Sequence, residues 1–116
     1  MFRFEELEIW RLAMEYADNI YDLTGKFPKE ERYNLMDQLR RAVLSVPNNI
    51  AEGSGTGTLR NFKSFLDISI SSIYETVNLL HFAKRRGYIS DQERVKFYKK
   101  AETLVKKIRT FKNKLK

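Results

Sequence analysis

His81 is the only histidine in the chain, and there is no cysteine. Disulfides, thiolate nucleophiles, cysteine-ligated zinc and iron–sulfur sites are thereby excluded. A carboxylate-bridged di-iron centre, the enzyme site most at home in a helical bundle, needs Glu-x-x-His on two helices. Here Glu75 is followed three residues on by Asn78, and a single imidazole cannot serve two such motifs. The run Gly53-Ser54-Gly55-Thr56-Gly57 lacks the Lys-Ser/Thr of a phosphate loop and follows no strand, so it reads as an interhelix link. No Ser/His/Asp order or Gly-x-Gly-x-x-Gly is present, and adjacent carboxylates such as Glu30 and Glu31 point in different directions. The expectation is a protein without catalytic activity, metal or cofactor.

What remains is electrostatic. The formal charge is +7, unevenly placed: Met1 to Ala83 holds 9 basic and 12 acidic residues, Lys84 to Lys116 holds 13 basic and 3 acidic. Lys96, Lys99, Lys100, Lys106, Lys107 and Lys114 gather on one side of a helical wheel, with Arg85 and Arg86 across the Gly87 turn. A lysine stripe neutralises phosphates without reading bases. Aromatic interleaving is sparse, with Tyr98 the clearest case, which favours contact with an RNA or DNA backbone over base stacking. Two other uses stand beside this one. The stripe could be a solvated face paired with Glu8, Glu15, Asp18 and Asp22, or it could dock an acidic protein partner.

A second unusual segment runs from Gln38 to Gly53. Pro47 interrupts an otherwise buried helical pattern and removes the hydrogen bond to the Val43 carbonyl. Asn48, Asn49 or Ser45 is expected to repair that loss, and Arg41 and Glu52 to form partly buried charge pairs with neighbouring helices.

The elements that position these residues are helical. At 116 residues, 42% hydrophobic and 32% charged, the chain fits one globular domain. Helix 1 is predicted over about Glu5 to Thr24, with Trp10, Ala13, Met14, Ala17, Ile20 and Tyr21 on its core face. Helix 2 is predicted from near Pro28 to near Gly53, and helix 3 from an N-cap at Thr58 to a left-handed stop at Gly87. Helix 4 opens on a capping box, Ser90 to Glu93, and carries Phe97, Ala101, Leu104, Ile108, Phe111 and Leu115 at heptad spacing. The predicted fold is all-α, an antiparallel up-down-up-down four-helix bundle spanning residues 1–116. Ile9, Leu12, Tyr16 and Leu23, with Phe65, Ile68, Leu79 and Phe82, form spare stripes, expected to be a subunit interface. No stretch is long and apolar enough for a membrane span, and the acidic start is unlike a signal peptide, so a cytoplasmic protein is expected.

Several segments together resemble a known family. These are Phe4-Glu5-Glu6-Leu7-Glu8-Ile9-Trp10, Phe27 through Leu35, Gln38-Leu39-Arg40-Arg41-Ala42 through Asn49-Ile50-Ala51-Glu52-Gly53, and Gly87-Tyr88-Ile89. They resemble the four-helix bundle proteins encoded in intervening sequences of bacterial 23S ribosomal RNA genes, relatives of the accessory variability proteins of diversity-generating retroelements. The resemblance implies a ring-like homopentamer with a basic surface suspected of contacting RNA or DNA, and no established enzymatic activity. The family motif falls on Gln38, Arg40, Arg41, Ser45, Asn49, Glu52 and Gly53. Relatives often carry several basic residues just after the Glu-Gly pair. Here only Arg60 is charged between Ser54 and Arg60, which moves the expected contact to helix 4.

Overall fold

Punctuation by residue type sets the element ends. The computed structural model describes residues 1–116: α1 Glu8–Thr24, α2 Leu35–Ser54, α3 Leu59–Arg85 and α4 Asp91–Lys114, with 3-10 turns at Arg3–Glu6 and Lys29–Glu31 and no strand. Gly25 caps α1. The Thr58 hydroxyl accepts from the Asn61 N–H at 3.1 Å. Ser90 and Glu93 exchange the two bonds of the predicted capping box. Gly87, at φ +78°, is the only residue in the left-handed region, where a side chain would be strained.

Two helices begin later than expected. Leu7 is extended (φ −87°, ψ 127°), so the Glu5 turn cannot run into α1. That bend lets Leu7 pack against the core and sets the Phe4 ring edge-on to Trp10 at 5.1 Å. Asn34 (φ −129°, ψ −101°) likewise separates the turn after Pro28 from α2. There the Glu31 carboxylate accepts from the Asn34 side chain at 3.1 Å.

Each helix packs on its neighbours in sequence, and α1 closes on α4, while the diagonal pairs stay apart. Contacts run in opposite order along two of these pairs. Val46, Ser45 and Gly53 of α2 meet Ser69, Ser72 and Phe62 of α3, and Asp67, Tyr74 and His81 of α3 meet Lys112, Arg109 and Tyr98 of α4. The α2–α3 and α3–α4 pairs are therefore antiparallel, as the sequence pattern predicts. The bundle measures 45 × 24 × 21 Å. Its core takes Ile20, Leu39, Val43, Ile50, Leu66, Ile73, Leu80 and Ile108, all fully buried. The α4 seam holds for Phe97, Ala101, Leu104 and Ile108, and continues half-buried through Phe111 and Leu115.

The closest approach is between α2 and α3. A Cβ on Gly53 would lie 2.7 Å from Phe65 Cβ and 2.9 Å from Phe62 Cδ1. Phe65 Cβ is tied to its backbone and cannot swing away, so any side chain at position 53 forces the helices apart. Further along, the Ser69 hydroxyl donates to the Val46 carbonyl at 2.8 Å, and Ser72 Oγ bonds Ser45 Oγ at 2.9 Å. Asn49 Nδ2 donates to Ser45 O and Oγ at 2.7 and 2.9 Å. The side chains around Pro47 thus bond the carbonyls of Ser45 and Val46, where the sequence pattern pointed to that of Val43. Small residues on α3 let this polar set form across the helix interface.

Gly53→Ala should lower stability by about 1–3 kcal/mol through overpacking, outweighing alanine's better helix propensity. A thermal melt checks this, and an unchanged midpoint would mean that the crossing is looser than described.

Candidate nucleic-acid interface

Five ion pairs form in the chain, and none uses Lys96, Lys99, Lys100 or Lys106. These four lysines are exposed on the outward side of α4, over a length of about 15 Å at 1.5 Å per residue. Of the acidic α1 residues expected to neutralise them, only Glu8 is engaged, by Lys107 at 3.2 Å. Lys99 and Lys100 border a shallow cleft against Leu12, Glu15, Tyr16 and Asn19 of α1. Arg85 and Arg86 are exposed but separate, at the C-terminal end of α3, where cations also suit the negative end of the helix dipole. The Tyr88 hydroxyl, donating at 2.8 Å, holds the Glu31 carboxyl below its ordinary range, with smaller help from the Leu35 N–H, the Asn34 side chain and, last, the charge of Arg86.

The motif residues of α2 do not converge on one pocket. Arg40 reaches back to α1: its Nε donates to Thr24 Oγ1 at 2.9 Å, and its Nη2 to the Tyr21 carbonyl at 3.0 Å. Its guanidinium also stacks over the Tyr21 ring at 4.4 Å. Arg40 therefore ties α2 to the end of α1. Ser45, Asn49 and Gly53 build the α2–α3 crossing. Gln38 and Glu52 are exposed, and Arg41 is exposed and pairs only with Asp37 on its own helix, at 3.4 Å. The expected buried pairs of Arg41 and Glu52 do not form, because both side chains lie on the water side of α2.

The spare stripe on α1 is also corrected. Ile9, Tyr16 and Leu23 are buried within the bundle, while Leu12 is half-buried at the α1–α4 edge. The face read as core on α1 holds in part: Ala13, Ala17 and Ile20 are buried, while Met14 and Tyr21 are exposed and Trp10 is half-buried. On α3, Ile68 and Phe82 are 47% and 48% exposed, while Phe65 and Leu79 are half-buried. Leu44 on α2 is also exposed.

The model of the 23S rRNA-intervening sequence protein family matches residues 5–110. The chain belongs to this family. Its fold is similar to the crystal structure of a protein of unknown function from the S23 ribosomal protein family of Bacteroides thetaiotaomicron VPI-5482. That match has a TM-score of 0.78 at 19% identity, over 89% of this chain and 96% of the other. No functionally curated protein matches it.

This intervening-sequence protein also holds site features that the residue pattern did not isolate. Arg109 Nη2 donates to the Tyr74 hydroxyl at 3.4 Å beside a cleft between α3 and α4. Tyr16 is a core group. Thr76 Oγ1 gives its one proton to the Ile73 carbonyl, so the 2.8 Å bond between Tyr16 and Thr76 is donated by the phenol. Burial pushes that phenol up to about 12. Its folded value lies above the ordinary value of about 10, so its contribution is intact below pH 10 and is lost as pH rises to 12. A tyrosinate absorbance titration should show one phenol resisting ionisation until about pH 12, and Tyr16→Phe should remove it. The same substitution should flatten the fall in stability between those pH values, about 2–3 kcal/mol in the parent protein.

Proposed function

We propose that this protein is a non-catalytic, oligomeric helical bundle that binds RNA or DNA through the phosphate backbone. The observation that carries the reading is the row of lysines on α4 with no carboxylate partner: Lys96, Lys99, Lys100 and Lys106. Cations that are neither paired nor buried can replace the counterions condensed on a nucleic-acid backbone, and release of those counterions drives binding. The site has no nucleophile with an adjacent base, which supports binding over turnover.

Self-association is the second part of the proposal. Ile68 and Phe82, with half-buried Phe65 and Leu79, leave one apolar stripe open along α3, and Leu44 of α2 and Met14 and Tyr21 of α1 are exposed as well. Apolar groups gathered on one side are a common signature of a protein interface. A ring of five subunits is the expectation carried over from the family resemblance. The same apolar stripe also supports the rival reading, a scaffold that docks another protein and needs no nucleic acid.

Reversing Lys99, Lys100 and Lys106 to glutamate should weaken binding of labelled single-stranded RNA by about tenfold or more at low salt, with helical content unchanged. Unchanged affinity would remove α4 as the site. Substituting aspartate at Ile68 and Phe82 should reduce the mass by light scattering to that of a single chain. A monomeric parent protein would end the oligomer reading.

A further inference from the structure

We propose that the cleft between α3 and α4 receives an unpaired nucleobase, so that single-stranded nucleic acid is held by stacking as well as by charge. The inference rests on the nucleic-acid reading above and adds to it a base-binding subsite.

The cleft has a volume of about 260 Å³. That is just below the range of about 300–1,000 Å³ typical of sites for drug-sized ligands, so it suits one planar group. Its floor is apolar, formed by Ile73 and Val77 of α3 with Ala101 and Val105 of α4. Two phenol rings stand at its mouth, Tyr74 at 58% and Tyr98 at 39% exposure. Rings that packing alone had placed would be covered. These present much of their surface to water, where every base offers a face that stacks with little regard to sequence.

Both walls are restrained. His81 meets the Tyr98 ring edge-on, with centroids 6.2 Å apart and planes at 65°. Arg109 is held against the Tyr74 hydroxyl and keeps other guanidinium N–H groups for a phosphate oxygen. Lys106 lines the same cleft, and Lys99 follows Tyr98 directly on α4. The occupant is thus an aromatic ring joined to a phosphate, the chemistry of a nucleotide in a single strand. A base inside a duplex is stacked and paired and cannot enter. Glu102 is the one carboxylate lining the cleft, and as an acceptor it suits an exocyclic amino group such as that of cytosine. Ile68 lies about 120° around α3 from Tyr74 at 100° per residue, so self-association through Ile68 leaves the cleft open.

The test compares a labelled oligodeoxycytidylate with a strand of the same length and phosphate charge built from abasic sugar analogues. Fluorescence anisotropy with the full chain should show the base-bearing strand bound about tenfold more tightly. Joint Tyr74→Ala and Tyr98→Ala substitution should abolish that difference while leaving the abasic strand and the salt dependence unchanged. Tyr98→Phe, which keeps the ring, should retain the difference. Equal binding of both strands by the parent protein would overturn the base subsite and leave the backbone reading intact. No binding of either strand at low salt would overturn both. Should the double variant lose its helical content, photo-crosslinking of a 4-thiothymidine strand to the parent protein decides. Adducts on Tyr74 or Tyr98 support the subsite, and adducts confined to other helices overturn it.

Discussion

The α2–α3 crossing depends on the absent side chain of Gly53. Because nothing projects from that position, Phe62 and Phe65 lie directly on the α2 backbone. The two helices then stay close enough for Ser69 to reach the Val46 carbonyl and for Ser72 to meet Ser45. Pro47 sits amid those bonds, so the turn it weakens is supported from the neighbouring helix. Arg40 ties α2 to the end of α1 through the Thr24 hydroxyl and the Tyr21 carbonyl. Of the motif residues, Arg40, Ser45, Asn49 and Gly53 thus serve the packing of α2 on its neighbours, while Gln38, Arg41 and Glu52 stay exposed.

The position of α4 follows from that arrangement. It packs mainly on α3 and touches α1 lightly. Its buried seam is narrow, so a wide arc of the helix faces water. Lysines fill that arc, and shallow clefts open on both of its flanks, one bordered by Lys99 and Lys100 and the other by Tyr74 and Tyr98. Apolar side chains are exposed on the other helices as well, among them Met14, Leu44, Ile68 and Phe82. The self-association and polyanion binding proposed above need no catalytic group.

Helix number, order and punctuation were legible in the sequence because each depends on local chemistry. Thr58, Gly87 and the Ser90–Glu93 box act within a few residues of themselves, and the heptad seam of α4 has one period. The starts of α1 and α2 were less legible. Leu7 and Asn34 break the helices by backbone conformations whose benefit, the seating of Phe4 and Leu7 and the turn at Glu31, arises only in the folded chain. The core face of α1 was legible only in part, because its apolar arc is wider than the face the bundle buries, so periodicity alone could not centre it between Trp10 and Tyr16. The Tyr16–Thr76 bond decides it by spanning the bundle diagonal, 60 residues apart in sequence. The lysine stripe was visible from composition. Its freedom from ion pairs was not, since that depends on which α1 carboxylates reach α4. The α3–α4 cleft was invisible for the same reason, because Tyr74 and Arg109 meet only across the helix pair.

The central claim is that unpaired charge on α4 binds a polyanion, and salt dependence tests it most directly. Fluorescence anisotropy of labelled single-stranded RNA and duplex DNA against the parent protein should give log K falling linearly with log salt. The expected slope is about −0.7 per contact on the single strand and about −0.9 on the duplex, for roughly three to four phosphates neutralised. An affinity that does not change with salt, or no binding of either polymer at low salt, would contradict the account and assign the basic face to a protein partner.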